Sequence, residues 1–269
     1  MAGLIGILIG LVLGLTGAGG SVLAVPMLKW GLGLPTSEAM GLSLGAVAAA
    51  AAYGSFIRLK QNSIVWMPAG VLIVSGVLGS PLGSWLRMRA PELWLDIGFS
   101  ILVVIVAVGM WRQAKSDPSS TKVLRAEPDV APGADPACDL SPSGQFELKP
   151  RCVGRMASIG IALGILSGLF GVGGGFVIVP GLMLFTGLNA ARAVATSLIV
   201  ITAVSSFSFA LFVWQRPTFN WYQFVPVAVG GLLGMFSGSL IGRFIAGPKL
   251  QQVFVILMLL MAALMLLKT

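Results

Sequence analysis

The chain reads as long apolar stretches separated by short polar interruptions. Apolar runs cover about 3–30, 38–57, 65–86 and 93–112, then about 156–187, 191–214, 222–245 and 249–268. Each is close to or above the roughly 20 residues a helix needs to cross a bilayer. The runs are continuous rather than alternating every second residue, so in lipid only helices satisfy their backbone. The pattern predicts an all-α polytopic membrane protein. Between the two sets of four segments lies a polar stretch, 113–153, rich in Pro, Ser, Asp and Glu, which reads as a disordered or loosely packed linker. The expected organisation is a first transmembrane repeat over 1–112, a linker over 113–153 and a second transmembrane repeat over 154–269.

Composition sharpens this picture. Of 269 residues, 57% are hydrophobic and only 10% charged, too few charges to coat a soluble domain. The first 24 residues are apolar but follow no positive charge, and their motif recurs deep in the chain, so they read as mature structure rather than a cleaved leader. The net charge is +8. Most of the acidic residues lie in the linker, so the excess of Lys and Arg flanks the apolar segments, where anionic headgroups favour it. No basic cluster with interleaved aromatics points to nucleic acid. With no histidine and two cysteines, Cys138 and Cys152, neither a metal nor a haem nor any other cofactor is expected. The cysteines read as incidental thiols, with a redox switch as the alternative.

The two sets of segments match each other. With a shift of 154 residues, GLTGAGGSVLAVP (Gly14 to Pro26) overlies GLFGVGGGFVIVP (Gly168 to Pro180). Positions 14–44 and 168–198 share 13 identities in 31, including the glycine triplet and the proline. Such an internal duplication is common in secondary transporters. Each repeat opens with a segment interrupted by the glycine run. That segment is either one discontinuous span or a re-entrant hairpin with the glycines at its tip. Discontinuous spans give parallel repeats and divide Lys and Arg eleven to six across the membrane; hairpins give inverted repeats and divide them twelve to five. Both place the linker in the cytoplasm by the positive-inside rule. The arms, about 18 and 15 Å long as helices, are each too short to span alone, and this tips the reading toward inverted repeats.

Broken backbone deep in a bilayer is tolerated only where it faces protein or a water-filled cavity. The half-helix that follows each break begins near Ser21 and near Phe176. Its first N–H groups lack helical partners and its dipole end is positive, which suits an anion. Glycine lets the backbone approach a ligand closely. Two such ends meeting near the midplane would make one enclosed anion site from Gly17, Gly19, Gly20 and Ser21 with Gly171, Gly173, Gly174 and Gly175. Close packing of helices is the alternative use of small residues, and Gly14, Gly17, Gly79 and Gly83 suit it. Ser43 and its repeat equivalent Ser197, with Thr196, could complete an oxyanion's hydrogen bonds or could bond within and between helices. Charged residues fall near helix ends, where Glu38, Glu92, Asp96, Arg58, Lys60, Arg87, Arg89, Arg216 and Arg243 read as interface anchors. Lys29 and Arg192 lie closest to the site helices. No carboxylate sits mid-span as a proton relay would require, and no catalytic residue stands out, so an enzyme is not expected.

GLFGVGGGFVIVP followed by ARAVATSLIVI, with the weaker first copy, resembles the sulfite exporter TauE/SafE family of the toluene sulfonate uptake permease superfamily. The resemblance covers both repeats. It implies a multi-pass carrier in the bacterial or archaeal inner membrane for sulfite, sulfonate or sulfoacetate anions. By position it assigns the motif to Gly171, Gly173, Gly174, Gly175, Pro180, Thr196 and Ser197, and to Gly17, Gly19, Gly20, Pro26 and Ser43. The first copy departs from the pattern with Thr16 for Phe170 and Ser21 for Gly175. An anion channel and a membrane assembly or sulfur-transfer factor are the alternatives. Whether copies join in a homo-oligomer is left open by the sequence.

Overall fold

A computed structural model describes residues 1–16, 20–60, 63–116, 150–186, 188, 190–216, 219–245 and 248–267. Gly17, Gly19 and Cys138 therefore lie outside the described residues, as does most of the linker. Among the described residues the chain forms ten helices and no strand. They are α1 (Ala2–Thr16), α2 (Ser21–Leu32), α3 (Thr36–Leu59), α4 (Trp66–Arg89), α5 (Glu92–Ser116), α6 (Pro150–Phe170), α7 (Gly175–Thr186), α8 (Ala190–Gln215), α9 (Trp221–Ile245) and α10 (Pro248–Leu267). Within the described residues six of them, α3, α4, α5, α6, α8 and α9, are long and apolar enough to cross a membrane. Several carry large exposed apolar side chains, such as Val74 and Leu78 on α4, Ile101 and Ile105 on α5 and Leu233 and Phe236 on α9, a surface suited to lipid tails.

The first apolar segment of each half is not one helix but two that fold back on each other. Gly20 lies so close to Leu13 that a Cβ added to it would stand only 2.5 Å from the Leu13 amide nitrogen, and Gly31 lies against the Ile5 side chain. α2 therefore runs antiparallel to α1. The same holds in the second half, where Gly174 meets Leu163 and Gly181 approaches Ile159, so α7 returns along α6. At 15 and 12 residues, α1 and α2 are about 22 and 18 Å long, short of the roughly 30 Å hydrocarbon core.

Each hairpin is held by the other half of the chain. α1 packs along α9, and α6 along α4. Both seams are lined by glycine, which brings the backbones together. Gly6, Gly10 and Gly14 meet Val227, Gly231 and Gly238, while Gly164 and Gly168 meet Gly76 and Ser80, and Gly79 and Gly83 meet Ile161 and Ile165. The packing use expected for Gly14, Gly79 and Gly83 is what the structure shows. α3 and α8 cross at the centre, with Gly41 on Phe212, Gly45 on Phe209 and the Ser55 and Thr202 hydroxyls 3.1 Å apart. Number rises along one helix as it falls along the other, so the two run antiparallel.

Candidate functional site

The turn between α6 and α7 is the best-defined break. Gly171, Gly173 and Gly174 take φ of 70°, 71° and 70°, the left-handed region that side chains with a Cβ rarely adopt. Three such residues in four unwind the helix and reverse the chain. All of Gly171 to Gly175 are buried. The last turn of α6 is closed by the Gly171 amide donating to the Ser167 carbonyl at 2.9 Å, and α7 opens with the Val177 amide donating to the Gly174 carbonyl at 3.1 Å. Between these bonds, the amides of Val172, Gly173 and Gly174 donate to nothing among the described residues. Buried orphan amides are rare, because each forfeits a hydrogen bond it had in water.

Residues of the first half close over this turn. A Cβ on Gly171 would collide with the Met40 carbonyl. The Ser43 hydroxyl shares its proton between the Gly171 carbonyl, 2.6 Å away, and the Met40 carbonyl at 2.7 Å. Val47 of α3 and Ile201 and Ser205 of α8 surround Gly173, with the Ser205 Oγ 2.9 Å from where a Cβ would stand. Ser43 is thus brought to the glycine turn of the opposite half.

The other expected residues are placed differently. Gly20 sits at the start of α2 with φ of −64°, an ordinary helical value, so what it needs is closeness to Leu13 rather than a left-handed backbone. Its amide donates to the Thr16 hydroxyl at 2.9 Å, and that hydroxyl donates to the Val12 carbonyl at 2.8 Å. Thr16, where the first copy departs from the second, therefore satisfies an amide inside its own hairpin. Ser21 is buried. Thr196 accepts the Val65 amide at 3.1 Å, and Ser197 donates to the Val194 carbonyl at 2.9 Å. Both hydroxyls are buried but neither is joined to Gly173 or Gly174 by a hydrogen bond among the described residues. α2 and α7 touch each other, so the two hairpins do meet.

Two charged residues expected as interface anchors, Asp96 and Arg87, are buried instead. Lys29, near the site helices, pairs with buried Asp96 at 2.7 Å, and Asp96 also accepts from the Thr36 hydroxyl at 2.9 Å. Arg192 is exposed. Arg216 pairs with Glu38 at 2.8 Å, as a surface anchor does. Arg87 is not an interface anchor: it is 2% exposed, stacked over the Phe212 ring at 5.0 Å. The close approach of α4 to α6 and α8 draws that end of the helix inward. Cys152 is buried and disulfide-bonded rather than an incidental thiol.

The family profile described as Sulfite exporter TauE/SafE matches residues 2–265. The chain belongs to the sulfite exporter TauE/SafE family. A probable membrane transporter protein of Xylella fastidiosa is 29% identical over 253 residues, 92% of this chain and 87% of that one. The probable membrane transporter protein YunE of Bacillus subtilis is 24% identical over 254 residues, 89% of this chain and 86% of that one. A probable membrane transporter protein of Haemophilus influenzae is 26% identical over 247 residues, 88% and 83% of the two chains. No solved structure gives a significant match. The TauE/SafE family and these relatives describe a membrane transporter, in keeping with a multi-pass fold.

Within this TauE/SafE chain, four buried polar atoms lack a hydrogen-bond partner among the described residues: Arg87 Nη1 and the hydroxyls of Ser167, Ser205 and Ser208. None of the four residues was assigned to a site from sequence. Ser205 and Ser208 stand three apart in VSSFSFALF, a hydroxyl pair on one helix face, and that spacing was the available signal.

Proposed function

We propose that the chain is a secondary carrier of small sulfur-containing oxyanions of the sulfite, sulfonate or sulfoacetate type, working in the inner membrane by alternating access between two inverted repeats. The observation that carries this reading is the buried turn at Gly171–Gly174. Its unpaired amides, with the Ser205 hydroxyl beside them, offer donors at the start of α7, where the helix dipole is positive. A tetrahedral or pyramidal oxyanion accepts from several donors at once, and a sulfonate oxygen suits backbone N–H as well as hydroxyl. Ser43 holds the turn by its carbonyl and so fixes where the amides point.

Two features support inverted repeats. α3 and α8 occupy matching places in the two halves yet run antiparallel, and both glycine segments return to the side from which they entered. Burial of the turn supports a carrier over an open pore. An anion reaches Gly173 only when α3, α8 and the α6–α7 hairpin shift relative to one another, the movement that alternating access requires. The reading involves no chemical step and no cofactor.

Purified protein in liposomes loaded with sulfite should take up labelled sulfite, with saturation and with acceleration by counter-substrate on the opposite face. Gradient-driven current without exchange would establish a channel instead. Absence of flux for sulfite, methanesulfonate and sulfoacetate alike would overturn the reading.

A further inference from the structure

The four partnerless buried polar atoms are not scattered. Ser205 Oγ lies over Gly173. Ser208 and Phe212 follow on the same face of α8, at spacings of three and four residues. Arg87 lies over the Phe212 ring with its Nη1 unpartnered, and Arg216 lies over the same ring at 5.6 Å. Ser167, one turn before Gly171, supplies the carbonyl that ends α6. On α4, Ser80, Ser84 and Arg87 share one face at spacings of four and three, and all three are buried. α4 and α8 run parallel, since Gly76 meets Val204 and, further along both helices, Arg87 meets Phe212.

These contacts trace one line. It starts at the glycine turn beside Ser205, continues to Ser208 one turn further along α8, and ends at Phe212, where Arg87 of α4 and Arg216 both lie over the ring. That end is where α4 and α8 finish and α3 begins. Gly41 of α3 lies against the same ring, one residue from Met40, which touches Gly171. The arginine pair is thus separated from the turn by a single aromatic side chain and two turns of α8.

A buried guanidinium with no carboxylate beside it among the described residues is costly, and in a bilayer such a group marks a pathway for charge. Glu38 answers Arg216 but leaves Arg87 without an acid. We propose that Arg87 is the first station for the transported oxyanion at this end of the bundle, that Phe212 separates it from the Gly171–Gly174 turn, and that Ser205 and Ser208 carry the anion between them. The ligand class is a small oxyanion able to take a forked guanidinium contact. The inference rests on the carrier reading above, and its failure is separable from the failure of that reading.

The test uses labelled sulfite in proteoliposomes with Arg87→Met and Arg87→Lys. Arg87→Met should raise KM about tenfold or more while maximal countertransport falls less, and Arg87→Lys should recover part of the loss. If the wild type transports sulfite and Arg87→Met keeps the wild-type KM, the inference is wrong and the carrier reading stands. If the wild type moves no oxyanion, the carrier reading itself fails. A second measurement covers the case in which Arg87→Met does not fold. Ser208→Cys in the otherwise intact chain should react with an anionic maleimide several-fold faster than with a cationic one. Equal rates, a preference for the cation, or no reaction with either would overturn the route along α8.

Discussion

Gly173 concentrates the demands of the site on one residue. It holds a left-handed backbone and is enclosed by Ser205, Val47 and Ile201. Any Cβ there meets both backbone strain, about 1–3 kcal/mol, and contacts shorter than van der Waals approach allows, the Ser205 Oγ at 2.9 Å among them. Gly173→Val should therefore abolish sulfite uptake while the protein still inserts and purifies as a single species; uptake at wild-type rate would remove the turn from the mechanism. Ser43→Ala acts differently. It strips the hydroxyl from a buried carbonyl of Gly171, which should cost about 1–3 kcal/mol and lower the melting temperature in detergent, with transport reduced rather than lost. The Lys29–Asp96 pair gives a third residue-scale expectation. Lys29→Met leaves Asp96 buried with only the Thr36 hydroxyl, a loss on the order of 3 kcal/mol, and Lys29→Met with Asp96→Asn should be the more stable of the two variants by thermal melting. These residues differ in how legible they were. The glycines were visible because a conformational need and a duplicated spacing both point to them. Arg87 was not, because a basic residue near a helix end reads as an anchor unless one knows how neighbouring helices bury that end.

At the scale of elements, the apolar runs announced where the helices lie, since runs of spanning length have few alternatives in lipid, but α5 and α6 extend into the expected linker, to Ser116 and from Pro150. One choice the sequence only tipped, whether the glycine run continues a span or turns it back: the short arms and the charge division leaned toward the hairpin. The apolar run itself is the same in both cases, and the contacts of Gly20 with Leu13 and of Gly174 with Leu163 are those of a chain folded back on itself. The glycine stripes on α1 and α9 make a further expectation. Gly10 faces the Gly231 carbonyl so closely that any side chain must force the helices apart. Gly10→Leu should prevent accumulation of folded protein, seen as loss of the monodisperse peak in detergent. Gly109→Leu on α5, where nothing lies within 4 Å of the added Cβ, should accumulate as wild type. Equal yields would mean that the α1–α9 seam does not anchor the first hairpin.

At the scale of the whole molecule, the pairing of elements is nearly unchanged when the two halves are exchanged. α1 with α9 becomes α6 with α4, α3 with α9 becomes α8 with α4, and α3 with α8 maps onto itself. A bundle that closes on itself in this way gives each glycine hairpin to the opposite half for support, so neither half packs its hairpin alone. The two possible topologies differ in which side of the membrane the connection between α8 and α9 occupies. If α6 and α7 return to their starting side, the turn joining α8 to α9 lies across the membrane from the linker. If they crossed together, that turn would lie on the linker's side. Cysteine-accessibility or reporter insertions in the linker at 125–140 and in the 216–220 turn therefore give opposite answers under the two topologies. With twelve basic residues on the linker side against five opposite, the linker should report cytoplasmic and the turn external. A cytoplasmic report from both would require α6 and α7 to cross, and then α3 and α8 could not run antiparallel as equivalent helices of two repeats. The arginine pair at Phe212 lies at the end where α8 finishes, so the same reports give the side from which the proposed anion would first meet Arg87.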